Sequence, residues 1–408
     1  MHITSIKVKD KRFNLADGVG SDATHTMPQY AYAVCCLETD TAATGIGLAF
    51  TLGAGTDIVC KAIEYLSVPL DGREIEELMS DFGTFYRKMV DSPSFRWLGP
   101  HKGVVHLALA AIVNACYDLW AKSRQVPLWK LLLDLTPEQL VNTLDLSYLE
   151  EVLTRNEAIA MLADCQSSRD ARQEVLKTGY KGYDTSVGWF NFPDEKIVAN
   201  TKKAIDNGFT ALKLKVGSDD PLRDIRRAGL IRKAAGNDAT IMLDANQKWN
   251  VPEALDICKR LGEINPFWIE EPTHPDDVIG HQTIAAAIAP LKVATGEHIP
   301  NKVIFKNFLQ AKAMDFCQVD AVRVGGISEF LTISLLSRKM GIPVVPHVGD
   351  MGQIHQHLVL FNHIGMNHEH LFLEHIPHLK SYFVNPAEIV DAFYQVPQIP
   401  GSSSDLKD

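Results

Sequence analysis

No dense stripe of lysine and arginine runs through the 408 residues, and the formal net charge is −10. Phosphate neutralisation needs a basic face, so no nucleic-acid partner is expected. Small anionic substrates remain open, because they respond to local rather than net charge. No apolar run reads as long enough to span a bilayer, and the N-terminal Met-His-Ile-Thr-Ser-Ile-Lys lacks the apolar core of a signal peptide. A cytoplasmic protein with no membrane partner is the expectation. The seven cysteines (Cys35, Cys36, Cys60, Cys116, Cys165, Cys258 and Cys317) are odd in number, scattered and without a CxxC pair. They read as reduced thiols, mostly in the core. No linker rich in glycine, serine or proline divides the chain, so its parts are expected to pack tightly.

With 46% hydrophobic and 22% charged residues, the chain is of ordinary globular composition, and its length allows two or three domains. Residues 3–13, 30–38 and 45–52 alternate as strands. Between the first two lies Asp17-Gly-Val-Gly-Ser-Asp22, a connection or a mobile flap over a ligand. Helical patterns follow over 56–67, 73–90 and 103–123, the last with Val104, Leu107, Ala108, Ala111, Ala115 and Leu119 on one face. Thr136-Pro-Glu-Gln139 and Thr154-Arg-Asn-Glu157 have the form of capping boxes that open short helices. Residues 1–150 therefore read as an α+β domain.

From about Tyr180, short apolar runs alternate with helical segments, and each run ends in a polar residue: Lys215, Asp244, Glu270, Glu297, Asp320, His347 and Glu374. Successive ends lie 29, 26, 27, 23, 27 and 27 residues apart. A strand, a helix and two loops need about that length, so the pattern indicates a parallel βα array. With Tyr180–Ser186 as the first strand, eight strands suffice to close a (β/α)8-type barrel over 177–375. An open doubly wound sheet explains the alternation but not why every strand ends in chemistry. Residues 376–408 are expected to return to the first domain and then fray.

In such a barrel the active site lies at the C-terminal ends of the strands. In Ala211-Leu-Lys-Leu-Lys-Val-Gly217 the strand period points Lys213 and Lys215 the same way. Mutual repulsion and lost hydration would favour a neutral amine, a general base; alone, the heptapeptide reads first as an edge strand with a solvated lysine face, and the strands that follow it change that reading. Asp244, Glu270 and Glu297 end three successive strands, and carboxylates that converge there repel unless a cation binds them. Hard oxygen donors without cysteine or histidine point to Mg2+, with Mn2+ as a substitute. The alternative is that each acid caps a helix or pairs with a lysine. Asp320 and His347 end neighbouring strands, where the carboxylate would fix the imidazole tautomer and raise its pKa. Together these residues suit removal of the proton beside a substrate carboxylate, with the charge spread into an enediolate.

Lys-Leu-Lys, Asp-Ala-Asn, Trp-Ile-Glu-Glu-Pro, Thr-Gly-Glu-His, Asp-Ala-Val-Arg-Val-Gly-Gly-Ile and Pro-His resemble the mandelate-racemase-like branch of the enolase superfamily. Gly20-Ser-Asp-Ala23, Arg96-Trp-Leu-Gly-Pro100, Leu135-Thr-Pro-Glu-Gln-Leu140, Thr185-Ser-Val-Gly-Trp189 and Glu271-Pro-Thr-His-Pro-Asp-Asp277 are similar to L-fuconate dehydratases within it. The resemblance implies a modified (β/α)7β barrel under an N-terminal capping domain completed by 376–408, and a homo-oligomer that acts on a small sugar acid. It implies Lys215 as base at C2, Lys213 as its carboxylate-binding partner, and Mg2+ on Asp244, Glu270 and Glu297 with Glu271 in support. His347, oriented by Asp320, would be the acid that protonates the departing C3 hydroxyl, giving a 2-keto-3-deoxy acid. Ser21, Asp22, Tyr30, Asn246 and Glu374 would shape or bind the substrate, each with a structural alternative.

One segment departs from the family pattern. Val348-Gly-Asp-Met-Gly-Gln-Ile-His-Gln-His357 stands where an apolar, glycine-rich loop is expected, and the stretch to Glu374 is a few residues short. Its histidines (His355, His357, His363, His368 and His370) lack a ligand spacing and read as a helix and loop surface. The departure bears on which sugar is bound, L-fuconate or another such as L-galactonate. A lysine and a histidine on opposite faces of an enediolate equally suit a racemase or epimerase, and a binding protein on the same scaffold is the non-enzymatic alternative.

Overall fold

The computed structural model describes residues 1–407. Strands β1 (Ile3–Phe13), β2 (Tyr30–Thr39) and β3 (Thr44–Thr51) form an antiparallel sheet in that order. Helix Gly103–Ser123 lies on β3 at backbone contact: a Cβ on Gly47 would stand 1.9 Å from the Ala111 carbonyl oxygen. This helix corrects the expectation of no membrane-length run. An 18-residue window of its 21 residues has a mean hydropathy of 1.5, but 89% of that window is buried inside the protein. The run was masked by His106, Asn114 and Asp118, which are buried and hydrogen-bonded to other elements. The expected 73–90 helix is two, Ile75–Ser80 and Phe82–Val90, because Asp81 leaves helical geometry (φ −140°, ψ 45°).

The second region is a parallel array. Strands β4 (Tyr180–Gly188), β5 (Ala211–Lys215), β6 (Thr240–Asp244), β7 (Trp268–Glu270), β8 (Lys292–Thr295) and β9 (Phe316–Cys317) pair in sequence order. Val344 bridges Cys317 in parallel, and β10 (Leu373–His375) pairs back onto β4. That return, with one buried core shared by all eight strand positions, gives a closed barrel and not an open sheet. Seven helices separate the eight strand positions, so the architecture is (β/α)7β. Tyr183, Ala211, Met242, Trp268, Ala294, Phe316, Val345 and Phe372 form their own buried cluster, drawn from all eight positions. This layer plugs the barrel interior and leaves polar chemistry to the C-terminal mouth.

Two expectations fail near the end of the chain. Helix Gln353–Met366 forms after His347, but its histidines are not surface residues: His355 and His357 are fully buried, as is nearly all of His368. Each has a partner that a surface reading does not supply. His357 meets Ser403 Oγ at 3.1 Å, and His368 meets the Ser334 carbonyl at 3.0 Å. Burial pushes the His357 pKa down to about 3 and that of His368 to about 4.

The tail does not fray. Strand β11 (Ile389–Val390) pairs with β12 (Phe393–Tyr394), which adds antiparallel to β4. Ser402 donates to Asp118 Oδ1 from its amide (2.7 Å) and hydroxyl (2.9 Å), and Lys122 Nζ lies 2.9 Å from Asp405. Five cysteines are buried, Cys60 and Cys165 are half-buried, and all seven are free thiols.

Candidate active site

Residues at or just after the ends of β5, β6, β8, β9 and β10 border a cavity roofed by the first domain, and Lys213, Asp244 and Glu270 are not among its walls. Its walls include Asp22, His25 and Tyr30 from the N-terminal region and Lys215, Asn246, Glu297, His347 and Glu374 from the barrel. It is partly open to solvent and has a cavity volume of about 40 Å³. The walls are therefore close.

Strand pairing explains the arrangement. Lys215 is in register with Asp244, and Asp244 with Glu270, so the three side chains stand in a row along the rim. Lys215 Nζ lies 2.5 Å from Asp244 Oδ2. Lys213 Nζ lies 2.8 Å from Glu270 Oε1, 2.7 Å from Glu374 Oε1 and 3.6 Å from Asp244 Oδ2. These pairs overturn the expectation of a neutral amine. Burial pulls both lysines down, but the carboxylates outweigh it and hold both pKa values above the ordinary lysine range.

The acids are short of positive charge. Burial, then Asp244, pushes Glu270 up to about 8, against the pull of Lys213. Burial likewise opposes ionisation of Glu297, but His347, His298 and Lys215 bring it down to about 2. Glu297 Oε2 and Glu374 Oε2 are buried without a hydrogen-bond partner. Three buried carboxylates with an orphaned oxygen suit a hard divalent cation. The lysines nevertheless draw Asp244 and Glu270 aside. The described group whose ligand atoms all lie within 4.8 Å of one another is Glu271, Glu297 and His298 instead. Glu271 and Glu297 thus approach within 4.8 Å through their ligand atoms, and His298 Nδ1 lies 2.9 Å from Glu271 Oε1.

His347 stands on the opposite side of the cavity rim. Its Nδ1 is 2.7 Å from Asp320 Oδ2 and its Nε2 is 3.4 Å from Glu297 Oε1. Burial lowers its pKa, but Glu297 and the hydrogen bond to Asp320 raise it to about 9. Asp320 itself is held well below the carboxylate range, His355 and His347 overcoming its burial.

The remaining expected residues divide. Asp22 lines the cavity, with its Oδ1 bonded to the Thr24 and His25 amides and Oδ2 at 3.0 Å from His25 Nδ1. Asn246, at φ 44°, lines it too, with its amide on Asp244 Oδ1 (3.0 Å) and its own Oδ1 unpartnered. Tyr30 and Glu374 line it; Thr185 Oγ1 donates to Glu374 at 2.5 Å. Ser21 does not. Its hydroxyl is engaged by the Gly18 carbonyl (2.7 Å) and the Asn191 amide (2.9 Å), which fastens the loop. Sequence reasoning passed over His25, Trp189, His298 and Arg323, all in the cavity wall. The last three lie inside motifs quoted above, and His25 is three residues past Asp22, so adjacency to a motif was the available signal.

Comparison with known proteins agrees with this geometry. Residues 196–408 match the enolase C-terminal domain-like family, and residues 5–132 match the N-terminal domain of mandelate racemase and muconate lactonizing enzyme. The crystal structure of human mitochondrial enolase superfamily member 1 superposes with a TM-score of 0.96 at 40% identity, covering 100% of this chain and 94% of that one. The L-galactonate dehydratase of Hypocrea jecorina is 40% identical over 99% of this chain and 92% of its own length. L-Talarate dehydratase from Polaromonas sp. JS666, solved with Mg and L-glucarate, is 25% identical with a TM-score of 0.77, covering 100% and 95%. By sequence and architecture, the chain belongs to the mandelate racemase and muconate lactonizing branch of the enolase superfamily.

Proposed function

We propose that the chain is a Mg2+-dependent dehydratase of a six-carbon sugar acid with the L-galactonate configuration, either L-galactonate itself or its 6-deoxy counterpart L-fuconate. The observation that carries this reading is the placement of Lys215 and His347 on one cavity, a potential base and a protonated acid with carboxylates between them. Likeness to an L-galactonate dehydratase over nearly the full length supports the substrate class, and a relative solved with Mg supports the ion. The two acids share their configuration from C2 to C5, so a pocket that grips those carbons accepts both.

Asp244, Glu270 and Glu297 are the residues proposed to hold Mg2+, which when bound supplies positive charge where the enediolate develops. Lys213 neutralises the substrate carboxylate. Lys215 removes the C2 proton; it can do so only as the free amine, and engaging Asp244 elsewhere leaves burial and Lys213 to push it that way. His347 gives its Nε2 proton to the C3 hydroxyl, the C3–O bond breaks, water leaves, and the enol becomes the 2-keto-3-deoxy acid.

Proton NMR in D2O, with Mg2+ and a panel of six-carbon sugar acids, tests the reading. A 2-keto-3-deoxy product from L-galactonate or L-fuconate supports it. Deuterium at C2 or inversion without a keto product replaces it with epimerisation.

A further inference from the structure

We propose that His355, braced by Asp350, is a positioning residue for the acid side of the site: it fixes Asp320 and, through Asp320, the ring of His347. Only the activity readout of this proposal rests on the dehydratase reading above. Asp350, His355, Asp320 and His347 form an unbroken buried line, and only His347 reaches the cavity.

Both oxygens of Asp320 are engaged. Oδ2 accepts from His347 Nδ1 (2.7 Å) and the Gly349 amide (2.9 Å). Oδ1 accepts from the Val322 amide (2.8 Å) and faces His355 Nε2 at 3.3 Å. Turning the carboxylate to release His347 would therefore also break its contact with His355. His355 is anchored from behind, with Nδ1 2.6 Å from Asp350 Oδ1. Asp350 is pinned in turn, accepting from the Gly352 amide (3.0 Å) and the Ile354 amide at the start of the next helix. Phe330 closes the side of the ring, edge-on at 5.9 Å between centroids.

The protonation state of His355 follows from its neighbours. The Ala321 amide points at Nε2 from 3.0 Å, where it can donate only to a neutral ring; in the imidazolium form Nε2 instead turns its proton to Asp320 Oδ1, 3.3 Å away, and the amide loses that acceptor. Asp350 has no other cation in contact among the described residues, and a fully buried carboxylate left without one is costly. The imidazolium form satisfies both acids: burial lowers the His355 pKa, but Asp350 and Asp320 raise it to about 10. The line then alternates in charge from Asp350 to His347. Both new members lie in the segment that departs from the family pattern, which makes the brace a property of this chain's altered loop.

The test uses the full-length protein with Mg2+. In 15N-labelled wild-type protein at about pH 8, His355 is expected to carry protons on both ring nitrogens. In His355→Leu, the His347 ring resonances are expected to move although His347 is untouched. A neutral wild-type His355, or unmoved His347 resonances, overturns the brace. In turnover, His355→Leu is expected to lower kcat for elimination by about ten- to a hundredfold with KM nearly unchanged, while exchange of the C2 proton by Lys215 stays near wild type. Equal loss of exchange and elimination would mark a general structural role and overturn it. Where His355→Leu does not fold, Asp350→Asn, which removes the anchoring charge, carries the same readouts. Should the wild-type protein turn over no sugar acid, the dehydratase reading fails and the NMR measurements still decide the brace.

Discussion

Lys213 and Glu374 join the second barrel strand to the last, with Nζ 2.7 Å from Oε1 and neither side chain exposed. Because Lys213 also holds Glu270, two buried acids share this one ammonium group. Lys213→Met is expected to leave both carboxylates unpaired and to destabilise the protein by about 3–5 kcal/mol, beyond any loss of substrate binding. Thermal unfolding checks it. An unchanged melting temperature would show that water or another group takes over the pairing.

Lys215 and His347 have separable tasks in the proposed reaction, so their variants should fail differently. Lys215→Ala is expected to lower both C2 exchange and turnover by about 10²–10⁴-fold. His347→Gln is expected to keep exchange and lose elimination. The protonated imidazole is the active form and its pKa is raised to about 9, so elimination should persist through neutral pH and fall as pH rises through that value. Deuterium incorporation measured beside keto-acid formation, across pH, separates the two. Retained exchange in Lys215→Ala would remove it as the base.

Acid stability should depend on Glu329. Its Oε2 lies 2.5 Å from His106 Nε2, linking helix Gly103–Ser123 to helix Gly326–Met340. Burial raises its pKa, but His106 and the Lys302 amide bring it to about 2, below the ordinary 4.5. A depressed carboxylate contributes stability that is present in full above about 4.5 and lost as pH falls toward about 2. Glu329→Gln should therefore unfold more easily at neutral pH and lose less on acidification. Denaturant midpoints measured at several pH values test both halves.

Gly47→Ala adds one methyl group where none fits, 1.9 Å from the Ala111 carbonyl oxygen and 2.3 Å from the Ala115 nitrogen. Both are backbone atoms of a helix and cannot swing aside. A loss of about 1–3 kcal/mol or more is expected, seen as a lower melting temperature with the active-site chemistry unaltered.

The rim residues Lys215, Asp244, Glu270 and Glu297 were legible in sequence because strand period and strand spacing are local, and a polar residue ending an apolar run marks each mouth position. The pairing of Lys213 with Glu270 and Glu374 was not, since it joins side chains 57 and 161 positions apart through barrel closure. The same holds for His355 and His357, whose polarity suggested solvent until tertiary partners appeared. Helix Gly103–Ser123 was legible in its limits but not in its burial, because periodicity gives a face and not the neighbour that covers it.

The serines at 402–404 bear on how the protein is made. Asp118 lies in the central helix of the first domain, yet two of its hydrogen bonds come from Ser402, and strand β4 receives β12 from the same late segment. During synthesis, the first domain must wait with these acceptors open until residues 393–402 have emerged.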